Sequence, residues 1–268
     1  MMNKTVLTIA GSDSSGGAGI QADLKVMTAY GVFGMSVITA VTAQNTLGVQ
    51  SIQDVGADMV CAQLDAVLSD IRPDAVKIGM VFSEDIIHIV AKAIDRWKLG
   101  NIVVDPVMVS TSGRPLLNPQ ACRVLERELF PRAAVVTPNL PETKELCSFK
   151  DSKWDRMAVQ EAASWLCSRW GSAFLIKGGH LEGEPADCCC TPDGKNWWYE
   201  GKRIDTVHTH GTGCTYSTAI ACNLAKGMEL PQAIREAKAY LEGCIRFNPG
   251  LGAGHGPLNH CWRTEETI

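Results

Sequence analysis

The 268-residue chain lacks the features that mark several classes of protein. It has 25 Lys and Arg residues against 29 Asp and Glu, a formal net charge of −4, so there is no basic excess of the kind that binds nucleic acid or anionic membranes. No apolar run approaches membrane-spanning length, and the run at residues 6–10 is too short for a secretory signal. We therefore expect a cytoplasmic protein with neither a nucleic-acid nor a membrane partner.

The cysteines lack the spacing of metal or disulfide sites. There are 11 of them, an odd number, and no Cys-x-x-Cys pair occurs. Cys188, Cys189 and Cys190 are consecutive, but neighbouring side chains of a strand point to opposite faces and do not readily converge on one ion. We expect these three residues to be small apolar members of a half-buried strand.

Short β-rich apolar runs alternate with helix-like stretches, which predicts an α/β fold with a mostly parallel sheet between two helix layers. A Pro-Asp-Gly turn at 192–194 predicts an antiparallel hairpin of residues 188–191 and 196–199. No linker or internal repeat divides the chain, so we expect one domain over 1–268. The predicted strands are 6–10, 37–41, 75–78, 102–105, 133–137 and 173–177, and the predicted helices are 20–29, 59–69, 85–97, 120–129, 156–170, 215–225 and 231–244.

The segment 208–217 carries the strongest chemical signal. Gly211, Thr212 and Gly213 run directly into a predicted helix, and the first N–H groups of a helix have no partner inside it. Together with the helix dipole, they form a seat for an anion such as phosphate. Cys214 lies where a side chain could touch that anion.

Polar residues also follow the predicted strands, at the edge where such sheets bind ligands. Gln44 offers both donors and an acceptor, although a surface turn is the better explanation of this residue taken alone. Asp105 and Glu142 could hold Mg²⁺ or simply cap local structure. Lys177, followed by two glycines, could reach a phosphate. The glycine-rich loop 11–19 is not a P-loop motif, and Asp23 after it could be a helix-dipole partner.

Seven blocks, in order, resemble the bacterial hydroxymethylpyrimidine/phosphomethylpyrimidine kinases. The resemblance covers about residues 4–258 and implies a ribokinase-like three-layer αβα sandwich. It implies ATP- and Mg²⁺-dependent phosphorylation of 4-amino-5-hydroxymethyl-2-methylpyrimidine, then of its monophosphate, for thiamine biosynthesis, by a homodimer. The blocks are 8–25, 40–46, 77–80, 105–108, 137–142, 177–180 and 210–215.

The resemblance also implies roles for individual residues. The transfer site would comprise Cys214, Gly211, Thr212, Gly213 and Lys177. The pyrimidine would contact Gln44, Gly11, Ala18, Met80 and Val107, with Asp23 near its polar edge. The nucleotide would lie against Asn139, Lys177, His210, Gly211 and Gly213, where His210 shapes the loop, and Mg²⁺ would be held by Glu142 and Asp105.

The alternative is a pyridoxal or pyridoxine kinase on the same fold. Some pyridoxal kinases share the cysteine at position 214 but have a second one in the stretch that here reads 108–113 and contains none. We expect the helix N-terminus to lower the pKa of the Cys214 thiol, which would make it a modest base for the hydroxymethyl proton. A neutral cysteine would also tolerate the phosphate of the second step.

Overall fold

A computed structural model describes residues 4–108, 117–147, 154–179, 181 and 183–265. Within these ranges, one sheet has the strand order β3-β2-β1-β4-β5-β6-β7-β8-β9. The neighbours from β2 through β1 to β7 pair in parallel, whereas β3, β8 and β9 are antiparallel additions. The strands are β1 (Thr5–Asp13), β2 (Phe33–Asn45), β3 (Gly48–Asp54), β4 (Ala75–Ile78), β5 (Ile102–Val104), β6 (Val135–Val136), β7 (Ala173–Ile176), β8 (Ala186–Cys190) and β9 (Asn196–Glu200).

Helices cover both faces of the sheet. The described helices are α1 (Gly19–Ala29), α2 (Ala57–Leu68), α3 (Glu84–Trp97), α4 (Pro119–Leu129), α5 (Leu140–Cys147), α6 (Arg156–Trp170), α7 (Thr212–Ala225), α8 (Leu230–Arg246) and the short α9 (Trp262–Glu265). Helices α2 to α6 pack on one core cluster, and α1, α7 and α8 pack on the other. This arrangement confirms the predicted three-layer α/β sandwich. None of the described helices has the length and apolarity needed to cross a membrane.

Local signals explain where several helices begin. Asn118 accepts a hydrogen bond from the N–H of Ala121 at the start of α4, and Asp155 does the same for Ala158 at the start of α6. Side-chain caps of this kind satisfy N–H groups that have no partner within the helix. Helix α6 therefore has the bounds that the sequence predicts, 156–170.

Helix α5 and strand β3 were not predicted, the ends of several other elements differ, and three differences bear on the site or the core. Strand β2 runs on to Asn45, because its far half pairs with β3, a strand that the sequence did not predict. Gln44 accordingly lies in a strand and not in a surface turn. Strand β8 is buried along its whole length, since Cys188 and Cys190 face one core cluster and Cys189 the other. Helix α7 begins three residues earlier than predicted, at Thr212.

Candidate active site

A cavity of about 650 Å³ opens at the carboxyl ends of the parallel strands. Residues that follow β1, β4, β5, β6 and β7 line it, as does the first turn of α7. Parallel α/β sheets bind ligands at this edge because the loops there converge. Of the residues that the sequence singled out, the cavity is lined by Gly11, Ala18, Gln44, Met80, Asp105, Val107, Asn139, Glu142, Lys177, His210, Gly211, Thr212, Gly213 and Cys214.

The N-terminus of α7 forms one wall of the cavity. Gly211 precedes the helix in the left-handed conformation, with φ of 84°, and a Cβ atom there would overlap the carbonyl oxygen of Gly17. The first helical bond runs from the N–H of Thr215 to the oxygen of Gly211 at 2.8 Å. The N–H groups of Gly213 and Cys214 therefore precede the helical ladder and suit an anion.

Lys177 lies beside this helix terminus. Its Nζ is 2.7 Å from Oδ1 of Asp105, and a Cβ atom on Gly213 would lie 3.3 Å from the same Nζ. Burial favours the neutral amine, but the carboxylates of Asp105 and Glu142 outweigh it and raise the pKa of Lys177. The ammonium is thus charged and within reach of an anion on α7.

Asn139 and Glu142 hold each other at the start of α5. The N–H of Asn139 donates to Oε2 of Glu142, and the N–H of Glu142 donates to Oδ1 of Asn139, both at 2.8 Å. This reciprocal pair is a capping box. Burial raises the pKa of Glu142 to about 7, although Lys177 opposes the shift. The Oδ1 of Asn139 is occupied by the cap, and both side chains still line the cavity.

His210 lies in the wall of the cavity, directly before Gly211 and in contact with Gln44. Its Nε2 is 2.8 Å from Oδ2 of Asp13 and 3.3 Å from the amide of Gln44. This ring nitrogen is therefore engaged with Asp13. The place of His210 beside the nucleotide stays a prediction.

Asp23 is not a residue of the cavity wall, which corrects its expected place at the substrate's edge. Its side chain has no exposed surface, and it pairs with Nζ of Lys77 at 2.8 Å. Oδ2 also accepts from Thr8 at 2.6 Å, and Oδ1 accepts from Thr218 at 2.7 Å. A carboxylate so fully bonded beneath the floor cannot also bind a ligand.

Lys77 is one of the site residues that the sequence did not indicate. It is fully buried in β4, yet it reaches the cavity floor. Burial opposes its charge, but Asp23 raises the pKa of Lys77 above its usual value. The available signal was a lysine inside the otherwise apolar run Ala-Val-Lys-Ile, because a charged residue is rarely fully buried without a partner.

The structure contradicts the expected pKa of Cys214. The thiol is half-buried in the first turn of α7. Burial raises its pKa to about 11; Lys77 and the N–H of Gly19 lower it, while Asp23 and Asp105 raise it further. The helix terminus favours the thiolate form of Cys214, but the loss of hydration on burial disfavours it more strongly. Cys214 is therefore a neutral thiol near pH 7 and not the modest base that we expected.

A helix-terminal anion seat faces a charged lysine in a ribokinase-like fold, and this combination defines a phosphoryl-transferring kinase.

The residue stretch after Met108, which bears on the pyridoxal alternative, lies outside the described residues.

Comparison with known proteins identifies the family. Residues 13–259 match the family model described as phosphomethylpyrimidine kinase, and the chain belongs to that family. It is 44% identical over 261 residues to the hydroxymethylpyrimidine/phosphomethylpyrimidine kinase of Haemophilus influenzae, with 96% of each chain covered.

Among the solved structures similar to this chain are two crystal structures of kinases. The phosphomethylpyrimidine kinase of Clostridium difficile has a TM-score of 0.78 at 43% identity, covering 89% of this chain and 98% of that one. The Bacillus subtilis pyridoxal kinase in complex with ADP has a TM-score of 0.89 at 35% identity, covering 98% and 99%.

Proposed function

We propose that the chain transfers the γ-phosphoryl group of ATP to the hydroxymethyl group of 4-amino-5-hydroxymethyl-2-methylpyrimidine. It then phosphorylates the resulting monophosphate, which gives the diphosphate used in thiamine biosynthesis. The observation that carries this proposal is that Gln44, the N-terminus of α7 and Lys177 line one cavity. The pyrimidine would lie against Gln44, and the transferred phosphoryl against the helix terminus and Lys177.

Positioning supplies most of the catalysis in this proposal. Phosphoryl transfer passes through a loose transition state whose charge is spread over the equatorial oxygens. The N–H groups of Gly213 and Cys214 and the ammonium of Lys177 would stabilise that charge. Because the attacking oxygen forms little bond in such a transition state, a strong base is not needed, and the neutral thiol of Cys214 is compatible with the reaction.

The neutral thiol also suits the second step. The nucleophile is then a phosphate group, which carries about −1.5 to −2 charge at pH 7. A carboxylate at position 214 would repel it. A side chain without charge lets the same cavity accept the alcohol first and its phosphate afterwards.

Mg²⁺ is included in the proposal with Asp105 and Glu142 as its protein ligands. Oδ1 of Asp105 accepts a hydrogen bond from Nζ of Lys177. Its Oδ2 lies 3.2 Å from the place that a Cβ atom on Gly213 would occupy, so this oxygen faces the anion seat. Within the described ranges, no group of three His, Cys, Asp or Glu residues could hold an ion by itself. Two carboxylates fit Mg²⁺, since this ion keeps waters and takes substrate phosphates as ligands. When bound, it would neutralise charge on the phosphates.

Pyridoxal phosphorylation is the second candidate, favoured by the likeness to the Bacillus subtilis pyridoxal kinase. The test is a coupled ADP-release assay with the hydroxymethylpyrimidine, its monophosphate and pyridoxal side by side. We expect turnover of both pyrimidines and a kcat/KM for pyridoxal at least about tenfold lower, because Gln44 matches an aminopyrimidine edge. Preference for pyridoxal would replace the main proposal, and no turnover of any of the three would reject a kinase of this specificity.

The proposal further includes a single kinase domain over 1–268, a cytoplasmic location and a homodimer. The edge of the sheet at β3 supports the dimer, because the neighbouring Val41 and Leu47 are 48% and 69% exposed. Exposed apolar residues beside an open strand edge are typical of an interface. Light scattering during gel filtration measures the assembly, and a mass of one chain would contradict this part.

A further inference from the structure

Asp13 and His210 form a pair, His210 contacts the side chain of Gln44, and all three residues line the cavity. Oδ2 of Asp13 is 2.8 Å from Nε2 of His210, and the same carboxylate accepts hydrogen bonds from Ser15 and Ala18. Although burial opposes ionisation, the bonds from His210 and Ser15 lower the pKa of Asp13. An ionised carboxylate only accepts hydrogen bonds. Nε2 of His210 therefore carries the proton that lies between the two side chains.

Thr42 holds the other end of the Gln44 amide. Its Oγ1 lies 3.0 Å from the backbone oxygen of Ser12 and 3.1 Å from Oε1 of Gln44. The one hydroxyl hydrogen of Thr42 cannot donate to both oxygens, and the backbone oxygen of Ser12 has no donor to offer in exchange, whereas the Gln44 amide has one. We therefore place the hydrogen toward Ser12. The lone pairs of Oγ1 are then left for an N–H donor of Gln44.

Together, His210 and Thr42 determine which side of the Gln44 amide carries the oxygen and which carries the nitrogen. Nε2 of Gln44 lies 3.3 Å from the protonated Nε2 of His210, which would set two donors against each other, while two acceptors would meet at Thr42. A half-turn of the amide exchanges its oxygen and nitrogen. The single Nε2–H of His210 is then shared between Asp13 at 2.8 Å and the Gln44 oxygen at 3.3 Å in a three-centre hydrogen bond, and the Gln44 nitrogen donates to Thr42. We infer that Asp13, through His210, holds Gln44 with its amide oxygen toward His210 and its amide nitrogen toward Thr42, and so sets which substrate edge the site accepts.

The backbone of Gln44 is fixed as well. Oγ of Ser14 donates to the oxygen of Gln44 at 2.8 Å and accepts from its N–H at 2.9 Å. One N–H and one lone pair of the amide remain for the cavity, with the donor on the Thr42 side and the acceptor on the His210 side. His210 is thus a positioning residue for specificity, since it acts through Gln44.

The fixed amide matches one order of groups on a ligand. It fits a ring nitrogen that accepts, beside an exocyclic amino group that donates. The 4-oxo analogue of the same pyrimidine presents an N–H beside a carbonyl, the reverse order, and would leave groups at the amide unpaired. This inference rests on the proposed function, because it takes Gln44 to contact the pyrimidine.

The experiment measures kcat/KM for the 4-amino pyrimidine and for its 4-oxo analogue, and reports their ratio. His210→Leu removes one anchor and Thr42→Val the other, whereas His210→Gln and Thr42→Ser keep a donor and a hydroxyl at those places. We expect the ratio to fall at least about tenfold in the Leu and Val variants and to stay within about threefold of wild type in the Gln and Ser variants. A change in rate that is common to both substrates cancels in this ratio.

An unchanged ratio in both the Leu and Val variants would overturn the inference, as would an equal loss in the conservative variants. If His210→Leu does not fold, judged by its thermal unfolding, the Thr42 pair alone decides. Calorimetric binding of the two pyrimidines to the protein without nucleotide reads the same ratio. No turnover of the aminopyrimidine by wild type would reject the proposed function, whereas turnover with an unaltered ratio would reject only this inference.

Discussion

Lys77 and Asp23 form an ion pair with no exposed surface on either side chain, with Nζ 2.8 Å and 3.0 Å from the two carboxylate oxygens. Asp23 also accepts from Thr218, which lies one helical turn beyond Cys214 on the same face of α7. The pair therefore lies beneath the thiol. Its two charges act on Cys214 in opposite directions, Lys77 lowering the pKa and Asp23 raising it.

Asp23→Asn should lower the pKa of Cys214, and Lys77→Met should raise it, because each leaves the opposite charge uncompensated beside the thiol. The measurement is the rate of alkylation by iodoacetamide at pH 8.5, read on the Cys214 peptide by mass spectrometry. The exposed Cys61 in the same sample is the internal reference. Cys214 should react faster in the Asn variant and more slowly in the Met variant.

A shift of both rates in the same direction would show that the pair only supports the fold. Breaking a buried ion pair costs about 3–5 kcal/mol, so each variant is first checked by its unfolding transition. The double variant Lys77→Met with Asp23→Asn removes both charges together and should bring the alkylation rate back between those of the two single variants.

Cys214→Asp should impair the second phosphorylation more than the first, because a carboxylate there repels the phosphate of the monophosphate. We expect kcat/KM for the monophosphate to fall at least about tenfold further than kcat/KM for the alcohol, a difference of about 1.4 kcal/mol. Cys214→Ser, which stays neutral, is the control and should affect the two steps alike. An Asp variant that spares the second step would remove the reason given for a thiol at this position.

Gly211→Ala and Gly227→Ala separate the cost of a left-handed backbone conformation from the cost of a steric clash between a Cβ atom and its neighbours. Both residues have positive φ, 84° and 83°, but a Cβ atom overlaps Gly17 only at Gly211 and meets open space at Gly227. Gly227→Ala should cost about 1–2 kcal/mol of stability and leave activity unchanged. Gly211→Ala should cost more and lower kcat about 100-fold, because the anion seat must move. Urea unfolding and steady-state kinetics measure both, and equal effects would contradict the assigned role of Gly211.

The buried imidazole of His260 gives the stability a pH dependence. Burial lowers its pKa to about 4 from 6.5, and Oγ1 of Thr215 lies 2.9 Å from its Nε2. The unfolded chain then binds more protons between those values, so this group stabilises the fold above about pH 6.5 and loses about 3 kcal/mol of that contribution as the pH falls toward 4. His260→Gln should flatten the fall in urea-unfolding free energy between pH 7 and 4.5, whereas the exposed His255→Gln should not. Parallel curves for wild type and His260→Gln would contradict the low pKa.

Much of the fold follows from short-range signals in the sequence. The periodic helices and the apolar central strands were predictable, because their patterns reflect burial on one or both faces. The strand at 75–78 and the helix at 156–170 match the structure in full. Strand β3 was not predictable, since its polar, exposed residues show no burial pattern and its pairing with β2 is a tertiary choice.

The residues of the candidate site were likewise predictable from the sequence only in part. Gly211 and Lys177 were recognisable because a glycine before a helix and a lysine at a strand end have local meaning. The partners of Asp23 and His210 come from distant parts of the chain, Lys77 and Asp13 respectively, so no local pattern indicates them. The thiol pKa of Cys214 depends on burial, on three charged residues and on the N–H of Gly19 at once, which a helix-terminus argument does not contain.

The central claim is that one cavity carries out two successive phosphoryl transfers to an aminopyrimidine. The most direct measurement is a ³¹P NMR time course of the wild-type protein with ATP, Mg²⁺ and the hydroxymethylpyrimidine, beside the Lys177→Met variant. The account predicts that a monophosphate signal rises and then gives way to a diphosphate, and that both conversions slow at least about 100-fold in the variant. A wild-type reaction that stops at the monophosphate, or a variant that retains either conversion at the wild-type rate, would contradict it.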